Sequence, residues 1–169
     1  MRHLFSVIVA VSLVFCATSK AHLMVSEHGT LNFDDSGAYM VVSLSASSFR
    51  EADGDKNGQL SLAEFKDAKS NIIEAIQEQI FMDQNETKKT LQGIMVSPQA
   101  AHGGDGKVID QIVVMGKFMA INHKQKLLFH NGLYGQGGEQ KLTMTAKYKR
   151  LGLKQKFVLT PKQLSAKVF

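Results

Sequence analysis

One twelve-residue stretch constrains this chain more than any other: Asp53-Gly54-Asp55-Lys56-Asn57-Gly58-Gln59-Leu60-Ser61-Leu62-Ala63-Glu64. Oxygen-bearing side chains fall at its first, third and fifth positions, a glycine at the sixth, a serine at the ninth and a glutamate at the last. A hard divalent cation such as calcium takes about six to eight oxygens at roughly 2.3–2.6 Å in a flexible shell. A short loop supplies that shell only if ligands recur every second residue and the backbone turns sharply midway. Gly58 permits the left-handed turn. Gln59 offers its backbone carbonyl, which leaves its side chain unconstrained. Ser61 ligates directly or holds a water, and Glu64 is long enough to reach back with both oxygens. Leu60, apolar among polar neighbours, is expected to point into a core and anchor the loop. The expected ion is Ca2+, and the expected ligands are Asp53, Asp55, Asn57, Gln59, Ser61 and Glu64.

The flanks agree. Ser45 to Ala52 reads as a short helix with Ser45 or Ser47 as its cap. Leu62 to Met82 reads as a long one, since Leu62, Phe65, Ile72, Ile76 and Ile80 recur at helical spacing. Ser61-Leu62-Ala63-Glu64 is a capping-box pattern. With these flanks, residues 45–80 resemble the EF-hand family, and every position of the pattern D-x-[DN]-x-[DN]-G-x5-E is filled. The resemblance implies a helix-loop-helix unit around one calcium ion. Two features depart from the family's habit. EF-hands usually come in pairs bridged near the eighth loop position, and no second loop is visible. Asp83-Gln84-Asn85-Glu86-Thr87 begins like one, but Lys88 stands where the glycine belongs, and Asp105-Gly106-Lys107 does not continue. The lone loop must pair with a strand of its own chain, with another copy, or with nothing. The loop also offers only three carboxylates, Asp53, Asp55 and Glu64, which suggests an affinity in the ~10⁻⁶ to 10⁻³ M span of sensor and extracellular sites. Outside the cytoplasm such a site stays filled, so a structural or partner-organising role is expected rather than a switch.

The N-terminus points to export. Met1-Arg2-His3 is basic, Leu4 to Ala17 is apolar apart from Ser6 and Ser12, and Ser19-Lys20-Ala21 supplies small residues for cleavage. That is the layout of a secretory signal peptide, and the run is shorter than the ~20 residues a spanning helix needs. Cleavage after Ala21 leaves 148 residues (169 minus 21) starting at His22, secreted or periplasmic, with no further membrane span expected. The only cysteine, Cys16, leaves with the signal segment, so neither a disulfide framework nor thiol catalysis is expected. Loss of Arg2 and Lys20 leaves 18 basic against 15 acidic residues, a net +3. The late cluster Lys147, Lys149, Arg150, Lys154, Lys156, Lys162 and Lys167 reads as a solvated strand face. No nucleic-acid-binding motif accompanies it, and no nucleic-acid partner is expected.

The remainder reads largely as strands. Residues 22–44 form a hairpin around Asp34-Asp35-Ser36-Gly37. Asp83 to Thr90 is polar and reads as a loop. Leu91 to Ser97 is a short strand ended by Pro98, Val108 to Ile121 a long one bent at Gly116, and Leu127 to Tyr134 another. Leu142, Met144, Ala146 and Tyr148 alternate with Lys141, Thr143, Thr145 and Lys147, which marks a sheet with one buried face. Phe157 to Thr160 is a last strand before Pro161. The expected fold class is therefore α+β: an EF-hand helix-loop-helix inserted between a β-hairpin and an antiparallel β-sheet or small sandwich. The expected units are a signal peptide over 1–21, the hairpin and loop unit over 22–90, and an antiparallel region over 91–169, the last two packing as one body.

Other constellations are thinner. A mature N-terminal His22 chelates copper through its amino group and ring nitrogen, with His28, His102, His123 or His130 to complete the set; this is the alternative to calcium. No G-x-S-x-G, H-E-x-x-H or phosphate-cradling loop occurs, and no enzymatic activity is expected. Asp34-Asp35 are turn formers rather than an acid/base pair. The lone loop and an open sheet edge point to a second copy or a protein partner.

Overall fold

The computed structural model describes residues 27–101, 106–135 and 139–169. The signal segment, Cys16, His22 and His102 lie outside them. The chain is built mainly from strands: β1 (Glu27–Asp34), β2 (Gly37–Ser45), β3 (Leu60–Ser61), β4 (Ile80–Gln84), β5 (Thr87–Ala100), β6 (Val108–Met119), β7 (Leu127–Asn131), β8 (Leu142–Tyr148), β9 (Leu153–Leu159) and β10 (Ser165–Lys167). The helical pieces are short: η1 (Ala46–Ala52) and η2 (Lys149–Leu151), both 3-10, and α1 (Leu62–Asp67) and α2 (Lys69–Gln79), both α. No helix among the described residues is long and apolar enough to cross a membrane.

Nine strands form one continuous order, β10-β7-β4-β5-β6-β2-β1-β8-β9, and β3 adds to β6 beside it. The two ends of that order, β9 and β10, are consecutive in the chain and touch. A bridge between Thr160 and Gln163 joins them, so the sheet curls into a nearly closed barrel. Inward-facing side chains fill it: Leu31, Met40, Leu44, Ile112, Val114, Phe118, Phe129 and Met144 are all essentially inaccessible to solvent. Two glycines make room for them. A Cβ on Gly116 would stand 2.7 Å from the Leu91 side chain, and one on Gly29 would stand 2.7 Å from Met144 Sδ.

This architecture overturns the α+β expectation. The chain is a mostly β, barrel-like sheet, and the EF-hand helix-loop-helix flanked by a hairpin and a separate antiparallel sheet or sandwich is not its organising unit. Three local causes account for the difference. The expected helix from Leu62 to Met82 breaks at Ala68 (φ −89°, ψ 5°) and ends at Gln79. Ile80 continues the helical spacing of Ile72 and Ile76, yet with Met82 it also fits a period of two, and the sheet takes it: β4 pairs with β7 from Ile80 onward. The polar Asp83–Thr90 stretch is a tight hairpin rather than a loop. Asn85 (φ 49°) and Glu86 (φ 64°) both take positive φ, the backbone of a two-residue turn matched to strand twist, and β4 and β5 pair on either side of it. The strand expected to end at Pro98 continues to Ala100. β4 pairs with β5 only as far as Thr90, and a proline is tolerated where a strand has such a free edge. The sheet is also not wholly antiparallel, because β1 runs parallel to β8.

The helical excursion between β2 and β4 carries the loop of interest. Phe49 and Ala52 on η1, and Ile72 and Ile76 on α2, are buried and belong to the same core as the barrel.

Candidate metal centre

The loop begins where η1 stops. The η1 helix is capped by Ser45, whose side chain accepts from the Ser47 N–H. It is short and irregular, with Phe49 at φ −116°, ψ 50°, so the segment leading into the loop is not a regular α-helix. Beyond the loop Ser61 caps α1. Its side chain accepts from the Glu64 N–H, while Glu64 Oε2 accepts from the Ser61 N–H at 2.9 Å. That reciprocal pair satisfies two backbone donors at the helix start and fixes where Glu64 sits.

The chain then folds back on its acids. Asp53 Oδ2 accepts from the Gly58 N–H at 2.8 Å, and Asp53 Oδ1 from the Asn57 N–H at 3.2 Å. Asp55 Oδ2 accepts from the Asn57 side-chain amide at 2.8 Å, and Asn57 Oδ1 accepts from the Gln59 N–H at 2.8 Å. Glu64 Oε1 closes the ring from the far end, accepting from Gly54 (3.0 Å) and Asp55 (3.3 Å). Lys56 (φ 58°) and Gly58 (φ 84°) supply the left-handed turns that let so short a loop curl. The Ser61 N–H and hydroxyl, then the Asp55 and Gly54 N–H groups, hold the Glu64 carboxyl below the usual carboxylate range, so it is ionised at neutral pH.

Asp53, Asp55 and Glu64 therefore each bring a carboxylate oxygen to within 4.8 Å of the others. Oxygens sharing an ion at 2.3–2.6 Å stand no more than about 5 Å apart, so the set fits a calcium ion. A carboxylate oxygen that accepts one N–H keeps a second lone pair for a cation. Asp53 and Glu64 are partly buried and Asp55 is exposed. Of the remaining expected ligands, Asn57 stands among them with its side chain bonded to Asp55. Gln59 donates its N–H to Asn57, and Ser61 is engaged as the helix cap. These six residues are brought together on one loop.

The sequence did not reveal the loop's partner. Leu60, buried, pairs with Ile109, and Ser61 pairs with Val108, so that β3 adds to β6. The Leu62 N–H donates to the Lys107 carbonyl at 2.9 Å. The position through which a second loop would be engaged is thus taken by the barrel's own strand. Nothing local in residues 107–109 signals this, because the pairing joins segments almost fifty residues apart.

The described histidines do not gather. His123 packs edge-on against Tyr148, and His130 lies on Phe81 with Nδ1 bonded to Ser165. Among the described residues the acidic triad is the single group of three or more metal-capable side chains. Asp34 and Asp35 part company. Asp34 accepts from the Ser36 N–H and hydroxyl, while Asp35 accepts from Tyr148 Oη and pairs with Arg150.

A scan against protein-family models finds none that matches the chain, and a search of curated proteins finds no match.

Proposed function

We propose that this protein binds one calcium ion through the Asp53–Glu64 loop, and that the ion braces the fold rather than serving a reaction. The observation that carries the reading is the convergence of the Asp53, Asp55 and Glu64 carboxylates to within 4.8 Å on a loop whose eighth residue is tied into the barrel wall. Three carboxylates so close repel one another, and a divalent cation removes that repulsion. Asn57, the Gln59 carbonyl and Ser61, directly or through water, complete the oxygen count. The brace runs from η1 through the loop to β3, β6 and α1. The proposed setting is outside the cytoplasm, where calcium is abundant and the site stays filled.

A thermal melt with calcium and with chelator, beside Glu64→Gln, tests this. Calcium at about 100 times its dissociation constant adds roughly 2.7 kcal/mol, which for a domain of this size raises the melting temperature by about 5–10 °C. The wild type should show that rise and Glu64→Gln should lose most of it. Equal responses in both proteins, or none in either, would remove the loop from consideration.

A further inference from the structure

We propose that the barrel wall formed by β9, β8, β1 and β2 docks on an anionic lipid surface. The register of the sheet assembles the site. Leu142, Met144, Ala146 and Tyr148 face the core, so their neighbours on β8 face out. Lys147 lies directly opposite Lys154 on β9, and Lys156 stands opposite Thr145. Strands are about 4.8 Å apart and residues two along a strand about 6.8 Å, so the three ammonium groups share one small area. Like charges directly opposite across a sheet destabilise it, and among the described residues none of the three lysines has a carboxylate partner.

The same wall exposes apolar side chains. On β9, Val158 is 42% exposed, and on β2 Val41 is 42% and Tyr39 49% exposed. The pairings place Tyr39 against Asn32 and Asn32 against Lys147, and place Val41 against Thr30 and Thr30 against Thr145. Uncharged polar residues of β1 therefore lie between the lysines and the exposed Tyr39 and Val41 of β2. Val158 stands two residues from Lys156 on β9 itself. Beyond Tyr39 the row continues to Lys117 on β6, whose ammonium lies over the Tyr39 ring. An acidic polysaccharide would use the lysines and leave Val41 and Val158 without a role. An anionic bilayer uses both: the headgroups neutralise the ammonium groups, and the apolar side chains enter the interface while the lysines snorkel.

Full-length wild type and variants, spun with phosphatidylcholine vesicles with and without phosphatidylglycerol, test the proposal. The N-terminal segment is common to all of them, so differences report the wall. Wild type should bind the anionic vesicles and lose binding as salt rises. Lys147→Gln/Lys154→Gln/Lys156→Gln should bind them on the order of 100-fold more weakly. Val41→Ser/Val158→Ser should bind them at least about tenfold more weakly with its lysines intact. Circular dichroism establishes that both variants are folded. Anionic-vesicle binding by the triple variant at wild-type strength overturns the proposal, as does failure of the wild type to bind. Lysine-dependent capture by dextran sulfate, with vesicle binding indifferent to the serine pair, assigns the wall to an acidic polysaccharide instead.

Discussion

Glu27 opens β1 with its carboxyl almost wholly buried, at 1% exposure. Oε1 accepts from the Ser45 N–H at 2.8 Å, while Oε2 has no hydrogen-bond partner among the described residues. Burial raises its pKa above the ordinary 4.5, and the Ser45 N–H only partly offsets that. Burial likewise pushes the Tyr134 hydroxyl up to about 12, with the nearby Glu27 charge adding to it. Linkage fixes the consequence. Below the unfolded value both states hold the proton and nothing is lost. As pH rises from there towards the folded value, the unfolded chain releases its proton first, and native stability falls until the folded carboxyl ionises. Glu27→Gln keeps the acceptor for Ser45 and removes the ionisation. Its melting temperature relative to wild type should therefore climb as pH rises from about 4.5 and then level off. A gap that is constant across melts from acid to neutral pH would show that the carboxyl releases its proton at the same pH in the fold as in the unfolded chain, so that burial does not shift it.

The elements differ in how openly the sequence announces them. The β8 strand is legible because Leu142, Met144, Ala146 and Tyr148 alternate without a break. The Ser61–Glu64 cap and the loop ligands are legible because their chemistry is local, within twelve residues. The passage from α2 into β4 is not, because Ile80 satisfies both periods and only its pairing with Asn131 decides. The Asn85–Glu86 turn lacks the glycine that usually marks one, and the barrel itself rests on pairings between distant segments. The β3–β6 tie belongs to that hidden class, and it yields a prediction. If the ion braces the wall through Leu60, calcium should slow amide hydrogen exchange at Leu62, whose N–H is held by Lys107, and at Ile109. Amides of β8 and β9, far along the sheet order, should exchange at unchanged rates. Exchange slowed everywhere alike would reflect a rise in global stability only, and no change at Leu62 would mean that loop and wall are uncoupled.

At the scale of the whole molecule, the barrel depends on a seam made late in the chain. The order of strands would leave β7 and β9 as open edges without the last residues. The Thr160–Gln163 turn reverses the chain with paired backbone bonds of 3.1 and 2.9 Å. After it β10 lies along β7, Ser165 against His130 and Lys167 against Leu128. Val168 is fully buried and its N–H donates to the Leu127 carbonyl at 3.0 Å. Phe169 packs on Phe33 with ring centres 5.0 Å apart. An exposed edge strand recruits further strands, and burying an aliphatic or aromatic side chain contributes about 1.5–3 kcal/mol each. Deletion of residues 161–169 removes both Val168 and Phe169 and should cost roughly 3–6 kcal/mol, while the bared β7 edge should drive association as concentration rises. Melting curves and light scattering over a dilution series read the two effects separately. A truncated chain that stays monomeric and melts with the wild type would place the closure of the barrel elsewhere than this seam.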